Sequence, residues 1–331
     1  MLRFAIIGAG RIGAVHARSI TAHSGAELVL VADPDGAAAA AIAAAAGPDV
    51  RHTTTIDDVF TDDAVDAVIV GSPTRFHVPQ IIAAINAGKA VLAEKPVDLD
   101  LARVDECLAA VGDQAHRVMI GFNRRFDPAF SQVQRRVVAG DIGELQQLTV
   151  ISRDPAAPPA AYLTGSGGIF RDMTIHDFDM VRFLLGEIVS VHAVGQNVAA
   201  DIKEIGDFDQ AVVTLRAASG AVATIINSRH CATGYDQRLE AFGQLGSFEV
   251  GNITDTTVRH NTATVSGASE PYLAFFLERY ERAYNAELDH FITSIEAGVA
   301  PSPSLADGRA ALVLADAATE SANSGLAVAI A

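Results

Sequence analysis

Leu2-Arg3-Phe4-Ala5-Ile6-Ile7-Gly8-Ala9-Gly10-Arg11-Ile12-Gly13 opens the chain with an apolar strand-like run, three glycines in GxGxxG spacing and the first turn of a helical pattern. Strand, glycine turn and helix in that order are what a dinucleotide-binding unit needs. Gly8 permits the tight turn, Gly10 lets backbone approach a pyrophosphate, and Gly13 allows close helix–strand packing. The N–H groups at the helix start, at Arg11 and Ile12, then face phosphate oxygens. A lone GxGxxG is a weak signal, and its context must carry the reading.

The context extends over the next hundred residues. Short apolar runs at Phe4–Ile7, Leu28–Ala32, Ala67–Val70, Ala90–Ala93 and Val118–Ile120 alternate with helical patterns at Ile12–Ala22, Ala37–Ala46, Pro79–Ala87 and Leu101–Val111. This alternation predicts βαβ units and a doubly wound parallel sheet of the Rossmann type over residues 1–121. Asp33 ends the second strand about 20 residues beyond the last glycine, where a carboxylate accepts the adenosine ribose hydroxyls and repels a 2′-phosphate. The expected cofactor is therefore NAD rather than NADP, although Asp33-Pro34-Asp35-Gly36 also reads as an ordinary turn. Ser72, Thr74 and His77 follow the Ala67–Val70 strand at the carboxyl edge, where such sheets bind ligands.

From about residue 122 the rhythm changes. A helix at Pro128–Ala139 leads into a strand at Leu145–Ser152, a proline-rich loop and a helix expected over Asp172–Leu185. Strand-like runs then fill Val189–Arg259, and two helices are expected at Tyr272–Glu296 and Leu305–Ser324. Residues 122–331 thus predict an α+β domain with a mostly antiparallel, open-faced sheet. Its uncovered face is a candidate oligomer interface, because Val189–Val194 and Val222–Ile226 read apolar on more than one side.

Composition narrows the function classes. The 331 residues are half hydrophobic and carry a formal net charge of −16, with no basic run. Nucleic acids and anionic membrane surfaces both need clustered Lys or Arg and are disfavoured as partners. No apolar run reaches the ~18 residues of a spanning helix, and no secretory signal pattern precedes the first strand. Cys107 and Cys231 are far apart and lack CxxC spacing, which fits a reducing, cytoplasmic setting.

Two segments carry candidate chemistry. Lysine occurs only at positions 89, 95 and 203, every other basic side chain being arginine. Lys95 follows Glu94 and precedes Pro96 at a strand's carboxyl edge, where an ammonium can stabilise alkoxide charge as a hydride leaves. In Gly168-Ile169-Phe170-Arg171-Asp172-Met173-Thr174-Ile175-His176-Asp177-Phe178-Asp179, Asp172 and His176 stand four residues apart, on one face if the helix is continuous. A histidine, with an unperturbed pKa near ~6.5, suits a general base, and a neighbouring carboxylate orients its ring. The same pair also reads as a helix-surface ion pair. A metal site is not expected, since no third or fourth ligand has clear spacing.

The GAGRIG opening, the AEKPV segment, Gly121-Phe122-Asn123-Arg124-Arg125-Phe126-Asp127 and the GGIFRDMTIHDFDMVRFL stretch resemble the Gfo/Idh/MocA oxidoreductase family, and within it the bacterial inositol 2-dehydrogenases. The resemblance runs over nearly the whole length. It implies NAD-dependent oxidation of a cyclic polyol, myo-inositol to 2-keto-myo-inositol, usually by homotetramers that associate through the second-domain sheet. It further implies catalytic roles for Lys95, Asp172 and His176, with His176 as proton acceptor. Asn123 and Arg125 match a cleft-lining motif, and Asp154 and Tyr235 match looser polyol-contacting positions. Glu94 and Lys95 also match the cofactor-facing strand end. Two alternatives stay open: an NAD(P)-dependent aldose dehydrogenase on the same scaffold, and a non-catalytic NAD-binding regulator.

Overall fold

β1 (Leu2–Ile7) is solvent-free from Phe4 onward, as a parallel strand covered on both faces must be. The computed structural model to which it belongs describes residues 1–330. After β1 come α1 (Arg11–Ala22), β2 (Ala26–Ala32), α2 (Gly36–Ala46), β3 (Arg51–Thr53), α3 (Asp58–Thr61), β4 (Ala67–Val70), α4 (His77–Asn86), β5 (Ala90–Ala93), α5 (Leu101–Val111) and β6 (Val118–Ile120). All six strands run parallel in the order β3-β2-β1-β4-β5-β6. This is the Rossmann order, with its topological switch point between β1 and β4. The short β3 has no apolar signal, being Arg-His-Thr, and pairs in register with Leu30–Ala32.

The second half contains α6 (Pro128–Val138), β7 (Leu145–Arg153), α7 (Ala160–Ser166), α8 (Gly168–Asp172), α9 (Ile175–Leu185), β8 (Ile188–Gln196), α10 (Ala200–Glu204), β9 (Gln210–Ala217), β10 (Val222–Ser228), β11 (Asp236–Gly243) and β12 (Gly246–Val250). The two-residue strands β13 (Arg259–His260) and β14 (Ala268–Ser269) pair with each other. Last come α11 (Phe276–Arg279), α12 (Glu281–Glu296), α13 (Leu305–Ser324) and β15 (Val328–Ala329). Seven strands form a mixed sheet in the order β12-β11-β7-β10-β9-β8-β15, parallel only at β7–β10.

β9 shows why this sheet is open-faced. Ala211, Val213, Leu215 and Ala217 are buried, whereas Val212 is 46% exposed and Thr214 and Arg216 are exposed with it. Register carries an apolar row along the exposed face, Val194 beside Val212, Val212 beside Ile226 and Ile226 beside Ile151.

The sequence places one boundary, at 121/122. The compact units instead divide after Phe126, and residues 282–312 return to the first unit, while 127–281 and 313–331 make the second. The cause lies in α12, where Leu288, Phe291 and Ile292 join Phe4, Ile6, Ile20 and Leu92 in one buried cluster. Phe291 packs its ring 6.1 Å from that of Phe4.

Candidate active site

The glycine turn sits at the switch point. Gly8 has φ +106°, and a Cβ there would lie 2.5 Å from the carbonyl oxygen of Gly71, at the end of β4. A Cβ on Gly13 would lie 2.0 Å from the carbonyl oxygen of Gly8. Both glycines are therefore demanded by the protein's own packing. Gly10 is different: it has ordinary extended backbone, and a Cβ would meet nothing within 4 Å. Its smallness serves whatever approaches the turn from outside, as a pyrophosphate does.

Asp33 touches this turn directly. Its Oδ2 accepts the Ala9 N–H at 2.6 Å and its Oδ1 accepts the Asp35 N–H at 2.8 Å. Asp35 caps α2 by accepting from Ala37 and Ala38. Turn and binding acid are thus compatible, since Asp33 retains lone pairs at the strand edge. Arg11 is exposed and Ile12 half-buried in the first turn of α1.

Two further loops meet the same edge. Ser72 donates its hydroxyl to Gln80 at 2.6 Å, and Thr74 is half-buried at the start of a 3₁₀ turn. His77 is only 2% exposed, with Nε2 2.7 Å from the Ser72 carbonyl and Nδ1 2.8 Å from the Pro96 carbonyl. Burial lowers its pKa despite those two carbonyls. The His77 ring thus lies between the Ser72 loop and the Lys95–Pro96 segment. That Lys95–Pro96 peptide is cis, and Lys95 is half-buried.

Glu94 reaches His16 of α1, with Oε1 2.7 Å from Nε2. Beside it lies Glu287 of α12, fully buried and with no hydrogen-bond partner at either carboxyl oxygen. Burial first, and the neighbouring Glu94 second, push its pKa well above the usual carboxylate range. Lys89 sits elsewhere, donating to the carbonyls of Asp62 and Val65 at 2.8 and 2.9 Å, so its role is structural.

Asn123 and Arg125 share the 3₁₀ turn Asn123–Phe126 after β6. Asn123 is 2% exposed and its Nδ2 has no hydrogen-bond partner in the fold. Arg125 is 8% exposed and pairs with Asp307 at 3.2 Å. Burial acts to raise the Asp307 pKa, but Arg125 and Ser304 outweigh it and the net shift is downward. Arg125 is thus held in place by an internal ion pair.

In the second unit, Asp172 and His176 do not share a continuous helix. Asp172 ends α8 and His176 is the second residue of α9, with Met173 and Thr174 between. Two contacts mark the break: the Thr174 N–H reaches back five residues to the Ile169 carbonyl at 2.9 Å, and the Thr174 hydroxyl donates to Asn227 at 2.7 Å. Asp172 Oδ1 accepts the Tyr162 hydroxyl at 3.0 Å, and Oδ2 accepts Arg229 Nη1 at 3.1 Å. His176 is half-buried.

Beneath α9 lies a buried polar network that sequence reasoning missed. Asp177 accepts from Ser152 at 2.6 Å and from Asn227 at 2.8 Å, anchoring α9 to β7 and β10. Arg229, immediately after β10, is fully buried and was equally unforeseen. Asp154 follows β7, half-buried, with its N–H on the Ser228 carbonyl at 2.8 Å. Tyr235 is 5% exposed, its ring edge-on to Phe275 and Tyr280, so most of it belongs to an aromatic cluster. Among the described residues, no group of three or more His, Cys, Asp or Glu is arranged to hold a metal ion.

A Rossmann order, a turn whose middle glycine is left open, and an acid on that turn define a dinucleotide-dependent enzyme class. Residues 2–122 match the model described as oxidoreductase family, NAD-binding Rossmann fold, and residues 130–249 match the GFO/IDH/MocA C-terminal domain. The chain belongs to the Gfo/Idh/MocA oxidoreductase family, and its first domain is NAD-binding. It is 48% identical over 324 residues to inositol 2-dehydrogenase of Rhizobium meliloti, covering 97% of this chain and 96% of that protein. It superposes on a myo-inositol dehydrogenase of Corynebacterium glutamicum with TM-score 0.97 and 49% identity, covering 100% and 99% of the two chains. A scyllo-inositol dehydrogenase of Lactobacillus casei, solved with bound NAD(H) and scyllo-inositol, matches with TM-score 0.88 and 28% identity, covering 99% of each chain.

Proposed function

We propose that the chain oxidises a cyclic polyol, myo-inositol foremost, to 2-keto-myo-inositol with NAD. The observation that carries this reading is the 48% identity to an inositol 2-dehydrogenase over nearly the full length of both proteins. The residue assignment draws its support from chemistry. Bound NAD supplies a hydride acceptor at its nicotinamide ring. His176 takes the proton of the reacting hydroxyl, Lys95 shares the charge developing on that oxygen, and Asp172 orients the imidazole. Gly8, Gly10 and Gly13 form the pyrophosphate turn, and Asp33 receives the ribose hydroxyls and favours NAD over NADP. Asn123, Asp154 and Tyr235 are weaker candidates for polyol contacts.

His176→Ala and Lys95→Ala should each lose about 10²–10⁴ in kcat while binding NAD normally. NAD titration beside steady-state turnover checks this, and weakened NAD binding with intact turnover would contradict the assignment. An absorbance assay of NADH formation across inositol stereoisomers and aldoses, repeated with NADP, identifies the substrate and separates this reading from an aldose dehydrogenase.

A homotetramer joined through the second-unit sheet fits the apolar row Val194, Val212, Ile226 and Ile151 on its exposed face. Val212→Asp should reduce the molar mass seen by light scattering, and an unchanged mass would remove that face from the interface. A cytoplasmic location fits the two free cysteines, of which Cys107 is pushed to a pKa of about 12 by burial.

A further inference from the structure

Arg229 is an expensive residue for this fold to keep. Its side chain is fully buried, yet Nε and Nη2 have no hydrogen-bond partners among the described residues. Its one side-chain hydrogen bond runs from Nη1 to Asp172 Oδ2 at 3.1 Å, with Asp207 Oδ2 farther away, 3.9 Å from Nη2. Asp207 is occupied with the backbone, accepting the N–H groups of Ile169 and Phe208 at 2.9 and 2.8 Å. Asp209, whose carbonyl accepts the Arg229 N–H at 2.7 Å, spends its carboxylate on Val198 and Ala199, with His230 3.9 Å away. For packing alone, an apolar side chain of similar volume serves such a position at least as well as a poorly bonded charge.

We propose that Arg229 is a positioning residue for the oxidation: its buried guanidinium fixes the direction of the Asp172 carboxylate. The inference rests on the reading of Asp172 as a catalytic group. Tyr162, from α7, completes the hold by donating to the other Asp172 oxygen at 3.0 Å. Since Tyr162 is 54% exposed and Arg229 fully buried, the permanent half of the hold is the cation.

The test compares Arg229→Met, Arg229→Lys and Asp172→Asn with the parent enzyme, measuring NAD affinity, kcat and kcat/KM against pH. Removing a buried cation raises the proton affinity of every neighbouring group. The acid limb of kcat/KM in Arg229→Met should therefore move up by about one pH unit, with kcat down about 10–10² and NAD affinity unchanged. Arg229→Lys keeps the charge but loses the planar fork. Its acid limb should stay near that of the parent while kcat falls about tenfold, and it carries the test alone if the methionine variant does not fold. Full turnover in Asp172→Asn sinks the catalytic reading itself. Loss of turnover in Asp172→Asn, with parent-like kcat and an unmoved acid limb in the Arg229 variants, overturns the Arg229 inference only.

Discussion

Glu287 is the residue whose titration should be felt by the whole fold. It is fully buried beside Glu94, and its carboxyl oxygens have no hydrogen-bond partners. Burial and Glu94 raise its pKa, so the folded protein keeps the proton to a higher pH than the unfolded chain does. The unfolded chain releases that proton near the ordinary value of about 4.3, and above that pH ionisation lowers the free energy of the unfolded state but not of the folded one. The stability associated with this neutral acid is complete below the unfolded pKa and is lost as pH rises toward the folded one. Glu287→Gln keeps the shape and removes the titration. Its melting temperature should exceed that of the parent by a margin that widens from pH 5 to pH 8, and thermal scans showing a constant margin would refute the raised pKa. None of this is visible in Tyr272–Glu296 read as a helix, because the partner Glu94 lies far away in sequence. Arg229 is hidden for the same reason, meeting Asp172 across 57 positions.

Among elements, the β1–α1 turn allows two glycines to be told apart. Gly13→Ala drives a Cβ to within 2.0 Å of the Gly8 carbonyl oxygen, and backbone overpacking of this kind costs at least about 1–3 kcal/mol. Gly10→Ala adds a methyl group into open space on backbone that alanine accepts, so stability should stay within about 0.5 kcal/mol. NAD affinity should nevertheless fall in Gly10→Ala, because the methyl group occupies the approach to the pyrophosphate. Calorimetry for NAD and thermal melts separate the two variants, and equal melts would undo the distinction. This turn was legible in the sequence because its demands are local, one residue acting on its near neighbours. The α8–α9 break was not, because Thr174 is drawn out of the helix by Asn227, 53 positions later. Spacing alone sets Asp172 and His176 on one helix face, but the tertiary hydrogen bond overrides it. The Arg51–Thr53 strand escaped detection for a related reason, its pairing being set by β2 rather than by any apolar run.

Across the whole molecule, the parallel sheet was readable from five apolar runs, whereas the division into units was not. The first unit draws Leu288, Phe291 and Ile292 from the far end of the chain into the core under β1. Phe291→Ala should cost about 3–5 kcal/mol, as large-to-small changes in aromatic cores do. A fragment of residues 1–126 should be poorly soluble and bind NAD weakly, while a fragment extended to include 282–312 through a short linker should recover both properties. Two-dimensional NMR spectra of the pair check this, and a well-dispersed spectrum from the shorter fragment would show that α12 is dispensable.

The discontinuous path of the polypeptide also governs its biosynthesis. Residues 282–312 complete the first unit, so it is not whole until they have left the ribosome. Most nascent domains fold in order of emergence from the exit tunnel. Here the glycine turn and its strands are translated early but must wait for their last helix, with Phe4 and Leu92 uncovered in the interval. A chaperone that shields apolar nascent chain should therefore crosslink to β1–β5 until residues 282–312 have emerged.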